Sequence, residues 1–98
     1  MTEYKVIFVI DGDTFKVKKW EWNNKTGNKI RPTGYDTPEK DEEGYQETKQ
    51  RLTDLILGQI IQVTSEKIVD KYGRLVADVS FNGKNLADYF PEYKKKRD

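Results

Sequence analysis

Three carboxylates and two guanidinium groups stand where this chain changes direction. Asp13 follows the first strand-like run, and Asp36 and Glu39 follow the third. Arg31 lies five residues before Asp36, and Arg74 opens the last long strand-like run. Carboxylates at strand ends converge when those strands are neighbours. Converging anions repel one another unless a cation sits between them, and their hard oxygens suit calcium, magnesium or manganese. Pro38 stiffens the turn between Asp36 and Glu39 and helps fix their mutual angle. Guanidinium groups fork onto phosphate oxygens in a way that ammonium groups do not. Taken singly, each carboxylate reads first as turn chemistry, because Asp-Gly and Asp-Thr-Pro are common turn sequences. Each arginine alone reads first as a surface ion pair.

Two absences narrow the chemistry. The chain has no Cys, which removes disulfides, thiolate nucleophiles and thiolate zinc sites. It has no His, which removes Ser-His-Asp hydrolysis and His-ligated metals. Eighteen basic and seventeen acidic side chains leave a net charge of +1, too balanced for a purely charge-driven nucleic-acid clamp. At 98 residues the chain holds one small domain.

The elements that must position these groups follow from pattern. Tyr4 to Ile10 is β-branched and aromatic and ends at Asp11-Gly12-Asp13, a strand and a turn. Thr14 to Trp22 resumes as a strand, and Asn23 to Asn28 reads as a loop. Lys29 to Tyr35 is a third, broken strand, in which Pro32 implies an edge position or a bulge. Asp41 to Leu57 is the one good helix, with Tyr45, Thr48, Leu52, Leu55 and Ile56 on one face, Asp41 as cap and Gly58 as stop. Ile60 to Ile68 and Leu75 to Phe81 are further strands, Asn82-Gly83 a tight turn, and Leu86 to Phe90 a short helix ended by Pro91. Five strands with one long helix after the third predict a mainly β (α+β) fold, a Greek-key barrel of the OB type with a short C-terminal helix. An open α+β sheet would give a similar order.

With the motifs in place, the chain resembles the staphylococcal nuclease (thermonuclease) family. Val9-Ile10-Asp11-Gly12-Asp13-Thr14-Phe15 looks like the family's opening motif. Arg31 with Gly34-Tyr35-Asp36-Thr37-Pro38-Glu39 looks like its second, and Asp70-Lys71-Tyr72-Gly73-Arg74 followed by Val76-Ala77 like its third. The resemblance implies a five-stranded OB barrel over residues 1–90, and the charged run that follows reads as a flexible tail over 91–98. It also implies a calcium-dependent phosphodiesterase acting on DNA and RNA and leaving 3′-phosphate ends. Carried over residue by residue, Asp13 and Asp36 would bind calcium through side chains and Thr37 through its backbone carbonyl. Glu39 would orient or deprotonate water. Arg31 and Arg74 would grip the scissile phosphate, and Lys71 and Tyr72 would flank the far end of the nucleotide. Such a reaction is largely positioning and charge stabilisation, so the missing histidines leave it intact.

The sequence departs from the family pattern at Pro32 and Tyr35, which could tilt the strand carrying Arg31, and it stops soon after Phe90, which implies lower stability and weaker binding. Trp20 and Trp22 offer a stacking platform for bases, although large aromatics in a small domain belong first to the core. Lys94 to Arg97 reads as a solvated tail more than a phosphate contact. The expected partners are single-stranded or frayed DNA or RNA, with no membrane and a monomeric state. The alternative is a non-catalytic OB module that binds single-stranded nucleic acid or a protein. No hydrophobic signal segment opens the sequence, so the expectation is a cytoplasmic protein or an excised domain.

Overall fold

The computed structural model describes residues 1–95. Six strands and one α-helix follow in chain order: β1 (Thr2–Asp11), β2 (Thr14–Trp22), β3 (Lys25–Pro32), α1 (Tyr45–Ile56), β4 (Ile60–Val69), β5 (Arg74–Phe81) and β6 (Lys84–Asn85). The sheet runs β3-β2-β1-β4-β5-β6, and a parallel pairing of β3 with β5 closes it into a five-stranded barrel of the OB type. The short β6 is an addition to the five expected strands. It pairs with the end of β5 across a tight turn in which Asn82 and Gly83 both take positive φ.

Alternation along each strand selects the core. Val6 and Val9 of β1, Phe15, Val17 and Trp20 of β2, Ile30 of β3, Ile61 and Val63 of β4, and Leu75, Ala77 and Val79 of β5 are all buried inside. Register irregularities in β1 between Val6 and Phe8 and between Val9 and Asp11 bend that strand. They also leave both Ile7 and Phe8 exposed. The helix buries Thr48, Leu52 and Ile56, spaced four residues apart on one face.

Three local features differ from the sequence reading. The expected six-residue loop from Asn23 is a two-residue hairpin turn, because Asn23 and Asn24 both adopt left-handed φ (54° and 61°) and strand pairing resumes at Lys25. Trp20 drives that extension. It is buried, its indole N–H donates to Lys29 O at 2.8 Å, and it packs against Gly27, where a Cβ would stand 2.7 Å from the ring. Burial removes Trp20 as a stacking platform, while Trp22 is half-buried against the same core. The helix begins at Tyr45, not Asp41. Gly44 precedes it at φ 92° with no side-chain cap, and Glu39 and Glu42 are committed to a separate turn.

The end of the barrel is closed by Leu86–Tyr89 and Pro91–Tyr93, two 3-10 turns. Asn85 caps the first by accepting from the Ala87 amide at 2.9 Å. Pro91 therefore opens a turn as well as ending one. Arg51 of α1 ties this end down, bonding Glu92 at 2.7 Å and the Tyr89 carbonyl at 3.0 Å. Lys94 bridges back to Tyr35, and the Lys95 amide donates to Gly34 O at 2.9 Å. The remainder of the expected tail, residues 96–98, lies outside the described residues.

Candidate active site

The turn between β1 and β2 is built around Gly12. A Cβ there would stand 2.7 Å from Thr37 Oγ1 and 2.8 Å from both Cβ and Oγ1 of Thr48. Glycine is required by this close approach, which lets the Asp11-Gly12-Asp13 turn slide under the segment carrying Asp36 and Thr37. The contact is secured from the far side by Tyr35. Its hydroxyl donates to Gly12 O at 3.0 Å, and its ring stacks on Phe90 at 4.7 Å. The residue that looked like a tilt in the Arg31 strand is thus a buried staple between two site-bearing segments. Burial drives the Tyr35 hydroxyl far above its ordinary pKa and keeps it a donor.

Asp13 is buried and densely bonded. Its carboxylate accepts from the Thr37 amide at 3.2 Å and pairs with Arg31 at 3.0 Å. Burial alone would raise its pKa; the hydrogen bond shared with Asp11, the Arg31 charge and the Thr37 amide together hold it below the usual value. Asp11 bears the complementary shift. Burial and the shared hydrogen bond and charge of Asp13 push it up to about 6.

Arg31 projects from the end of β3, where Pro32 is the last strand residue and the Thr33 amide continues the bonding to Ala77 O at 2.9 Å. Its guanidinium bridges Asp13 and Asp36, one nitrogen to each carboxylate. Burial would lower its pKa, and the two aspartate charges more than reverse that. Asp36 itself is exposed and also lies 3.5 Å from Lys95. Glu39 is exposed beside them. Its amide donates to the Glu42 side chain at 2.7 Å while its carbonyl accepts from the Glu42 amide at 2.8 Å, so the turn is locked and the Glu39 side chain is not consumed by it.

Across the opening, Asp70 builds the turn that presents Arg74. One oxygen accepts from the amides of Tyr72 and Arg74 at 2.9 and 3.0 Å, and the other from the Arg74 guanidinium at 2.7 Å. Burial would raise the Asp70 pKa, and these bonds lower it. The Arg74 and Lys71 cations lie 5.0 and 5.2 Å from the centre of the exposed Tyr72 ring.

One cleft of about 680 Å³ collects these groups. Asp11, Asp13, Arg31, Asp36, Thr37, Pro38, Glu39, Lys40, Glu42, Tyr72 and Arg74 line it. Of the site residues expected from the sequence, only Lys71 lies off the lining, with its ammonium 5.2 Å from the centre of the Tyr72 ring. Asp11, Gly12, Tyr35 and Asp70 support the site and were not singled out as site residues. Asp11 sat inside a quoted motif, whereas only the fold pairs Tyr35 with Gly12.

The lining answers whether a hard cation fits. It carries five carboxylates against three basic groups, an excess of negative charge suited to a dication. Asp13 and Asp36 already converge on one positive group, and Thr37 Oγ1 is buried with no hydrogen-bond partner among the described residues. Among those residues, no group of three or more acidic side chains forms a ready-made cage. Two carboxylates completed by backbone oxygen and solvent would make a donor set of the kind calcium accepts.

The chain is thus a closed OB barrel with an acidic cleft, lined also by Arg31 and Arg74, at the strand ends. Residues 29–90 match the family described as staphylococcal nuclease homologue. A micrococcal nuclease of Shigella flexneri is 37% identical over 75 residues, which covers 76% of this chain and 40% of that relative. The chain spans about two fifths of the relative's length. It belongs to the staphylococcal nuclease homologue family, and the Asp13 turn precedes the matched span.

Proposed function

We propose that this domain hydrolyses phosphodiester bonds of DNA and RNA with a bound calcium ion and leaves 3′-phosphate ends. The observation that carries the reading is the convergence of Asp13, Arg31, Asp36, Thr37, Glu39 and Arg74 on one cleft. Family membership and the micrococcal nuclease relative support it. The side chains of Asp13 and Asp36 and the Thr37 carbonyl would hold the cation. When bound, it supplies Lewis-acid polarisation of a phosphoryl oxygen and charge stabilisation.

The chain's own groups do the rest. Glu39, exposed at the mouth, takes a proton from the attacking water. Arg31 and Arg74 neutralise the phosphoryl oxygens as charge develops, and Asp70 keeps Arg74 aimed. Water adds at phosphorus opposite the 5′-oxygen. The bond to that oxygen breaks, it leaves protonated with help from Arg74, and the phosphate stays on the 3′ side. Lys71 and Tyr72 flank the far end of the nucleotide. An open, exposed cleft suits a single-stranded or frayed substrate more than a duplex.

Glu39→Gln tests the assignment. It keeps the size of the side chain and removes its basicity, so cleavage of a single-stranded oligonucleotide should fall by about 10²–10⁴-fold while binding persists. Cleavage at the parent rate overturns the role of Glu39. A second reading, a non-catalytic OB module for single-stranded nucleic acid or a protein, draws on the Arg31 bridge, which already neutralises both aspartates. That reading expects neither cleavage nor a calcium-dependent rise in melting temperature.

A further inference from the structure

The outer face of the barrel carries a row of side chains that the cleft does not use. Register places Phe8 of β1 opposite Lys16 of β2, Lys16 opposite Lys29 of β3, and Lys29 opposite Arg74 of β5. Paired residues share a face, and the next row, Val9, Phe15, Ile30 and Leu75, is entirely buried. The first row therefore lies outside. It crosses three strand spacings, about 14 Å, and ends at Arg74 on the lip of the cleft.

The composition of this row is unfavourable for the protein alone. Three cations stand directly opposite one another on successive strands, an arrangement that costs stability. Among the described residues no carboxylate lies within ion-pair distance of Lys16 or Lys29; Arg74 alone is paired, with Asp70. Both lysines are half-buried, so their stems lie on the sheet and their ammonium groups are confined near it. Trp20 fixes the middle of the row by bonding the Lys29 carbonyl. At the far end Phe8 is 53% exposed, with the Lys16 ammonium 5.7 Å from its ring centre.

We propose that Phe8, Lys16 and Lys29 form an extended track for single-stranded nucleic acid, with phosphates on the two lysines and a base stacked on Phe8, continuous with the cleft through Arg74. Regularly spaced cations beside an exposed aromatic ring match an alternating anionic and planar ligand. The inference rests on the nucleic-acid reading of the cleft and extends it along the strand.

The test measures binding of a fluorescent 12-nucleotide single-stranded DNA by anisotropy, with chelator present to prevent cleavage, across a salt series. The variants are Lys16→Gln/Lys29→Gln and, as a control of equal charge change, Lys49→Gln/Lys84→Gln. Melting temperature verifies folding. The track predicts about tenfold weaker binding for the first pair and a salt slope shallower by about 1.4, two contacts at about 0.7 each. The control should keep the parent slope. Phe8→Ala, which removes no charge, should weaken binding without changing the slope. Parent-like affinity and slope in the lysine pair overturn the track while leaving the cleft reading intact, as does an equal loss in the control. Failure of the parent protein to bind the oligonucleotide in chelator also overturns the track, whereas the cleft reading is judged separately by cleavage in calcium.

Discussion

Gly12→Ala isolates the packing that assembles the site. The added methyl meets three atoms closer than 3.0 Å: Thr37 Oγ1, Thr48 Cβ and Thr48 Oγ1. Thr48 cannot give way easily. It is fully buried on α1, and its hydroxyl is bonded to the carbonyls of Gly44 and Tyr45 at 3.0 and 3.1 Å. Thr37 is the softer side, since its hydroxyl has no partner to lose among the described residues. Relief therefore requires the Gly12 turn to shift away from Thr48 and from the Thr37 segment, which stretches the 3.2 Å bond between the Thr37 amide and Asp13. Overpacking of this kind costs about 1–3 kcal/mol. At about 4–8 °C per kcal/mol for a domain of this size, the melting temperature should fall by about 10 °C. Calorimetry reads the shift, and nuclease assay at a temperature where the variant is folded reads the site. Activity should drop more than the folded fraction does, because Asp13 and Thr37 separate. Gly12→Ala with Thr48→Ala should cost less than the sum of the single variants, since one of the clashing atoms is gone. A melting temperature within about 2 °C of the parent, or strict additivity, refutes the reasoning.

Three further predictions follow from other contacts. Arg31→Met removes the guanidinium from between Asp13 and Asp36, so calcium affinity measured by titration calorimetry should rise while cleavage falls by about 10²–10³-fold. Trp20→Phe leaves the partly buried Lys29 carbonyl without its 2.8 Å donor and opens space at Gly27; urea unfolding should register a loss of about 1–3 kcal/mol. Glu92 is held at about 2 by its hydrogen bonds from Arg51, below its ordinary 4.5. A depressed carboxylate stabilises the fold above its unfolded pKa and loses that contribution as pH falls toward its folded value. The melting-temperature gap between parent and Glu92→Gln should thus be present at pH 6 and close between about pH 4.5 and 2.

The barrel was legible because its signals are periodic and local. Alternating β-branched residues marked β1, β2, β4 and β5, and the spacing of Thr48, Leu52 and Ile56 marked the buried face of α1. The misread pieces depended on specific side-chain contacts that periodicity does not announce. Asn23-Asn24 is a tight turn with both residues at left-handed φ, and Trp20 reaches across to Lys29 and Gly27 where the following residues pair. Asp41 looked like a helix cap, yet the reciprocal bonds of Glu39 and Glu42 claim that stretch for the site. The same division holds in the cleft. Asp13, Asp36, Glu39 and Arg74 were visible as residue types beside turns. Asp70 as an aiming group, and Tyr35 as a staple 23 residues from Gly12, required the fold.

Cleavage of a single-stranded DNA oligonucleotide, with calcium and then with excess chelator, and with product ends read by mass, tests the central claim most directly. Calcium-dependent cleavage with 3′-phosphate products is the expected result. Cleavage that persists in chelator, or products ending in 5′-phosphate, contradicts it, and so does an intact oligonucleotide in the presence of calcium.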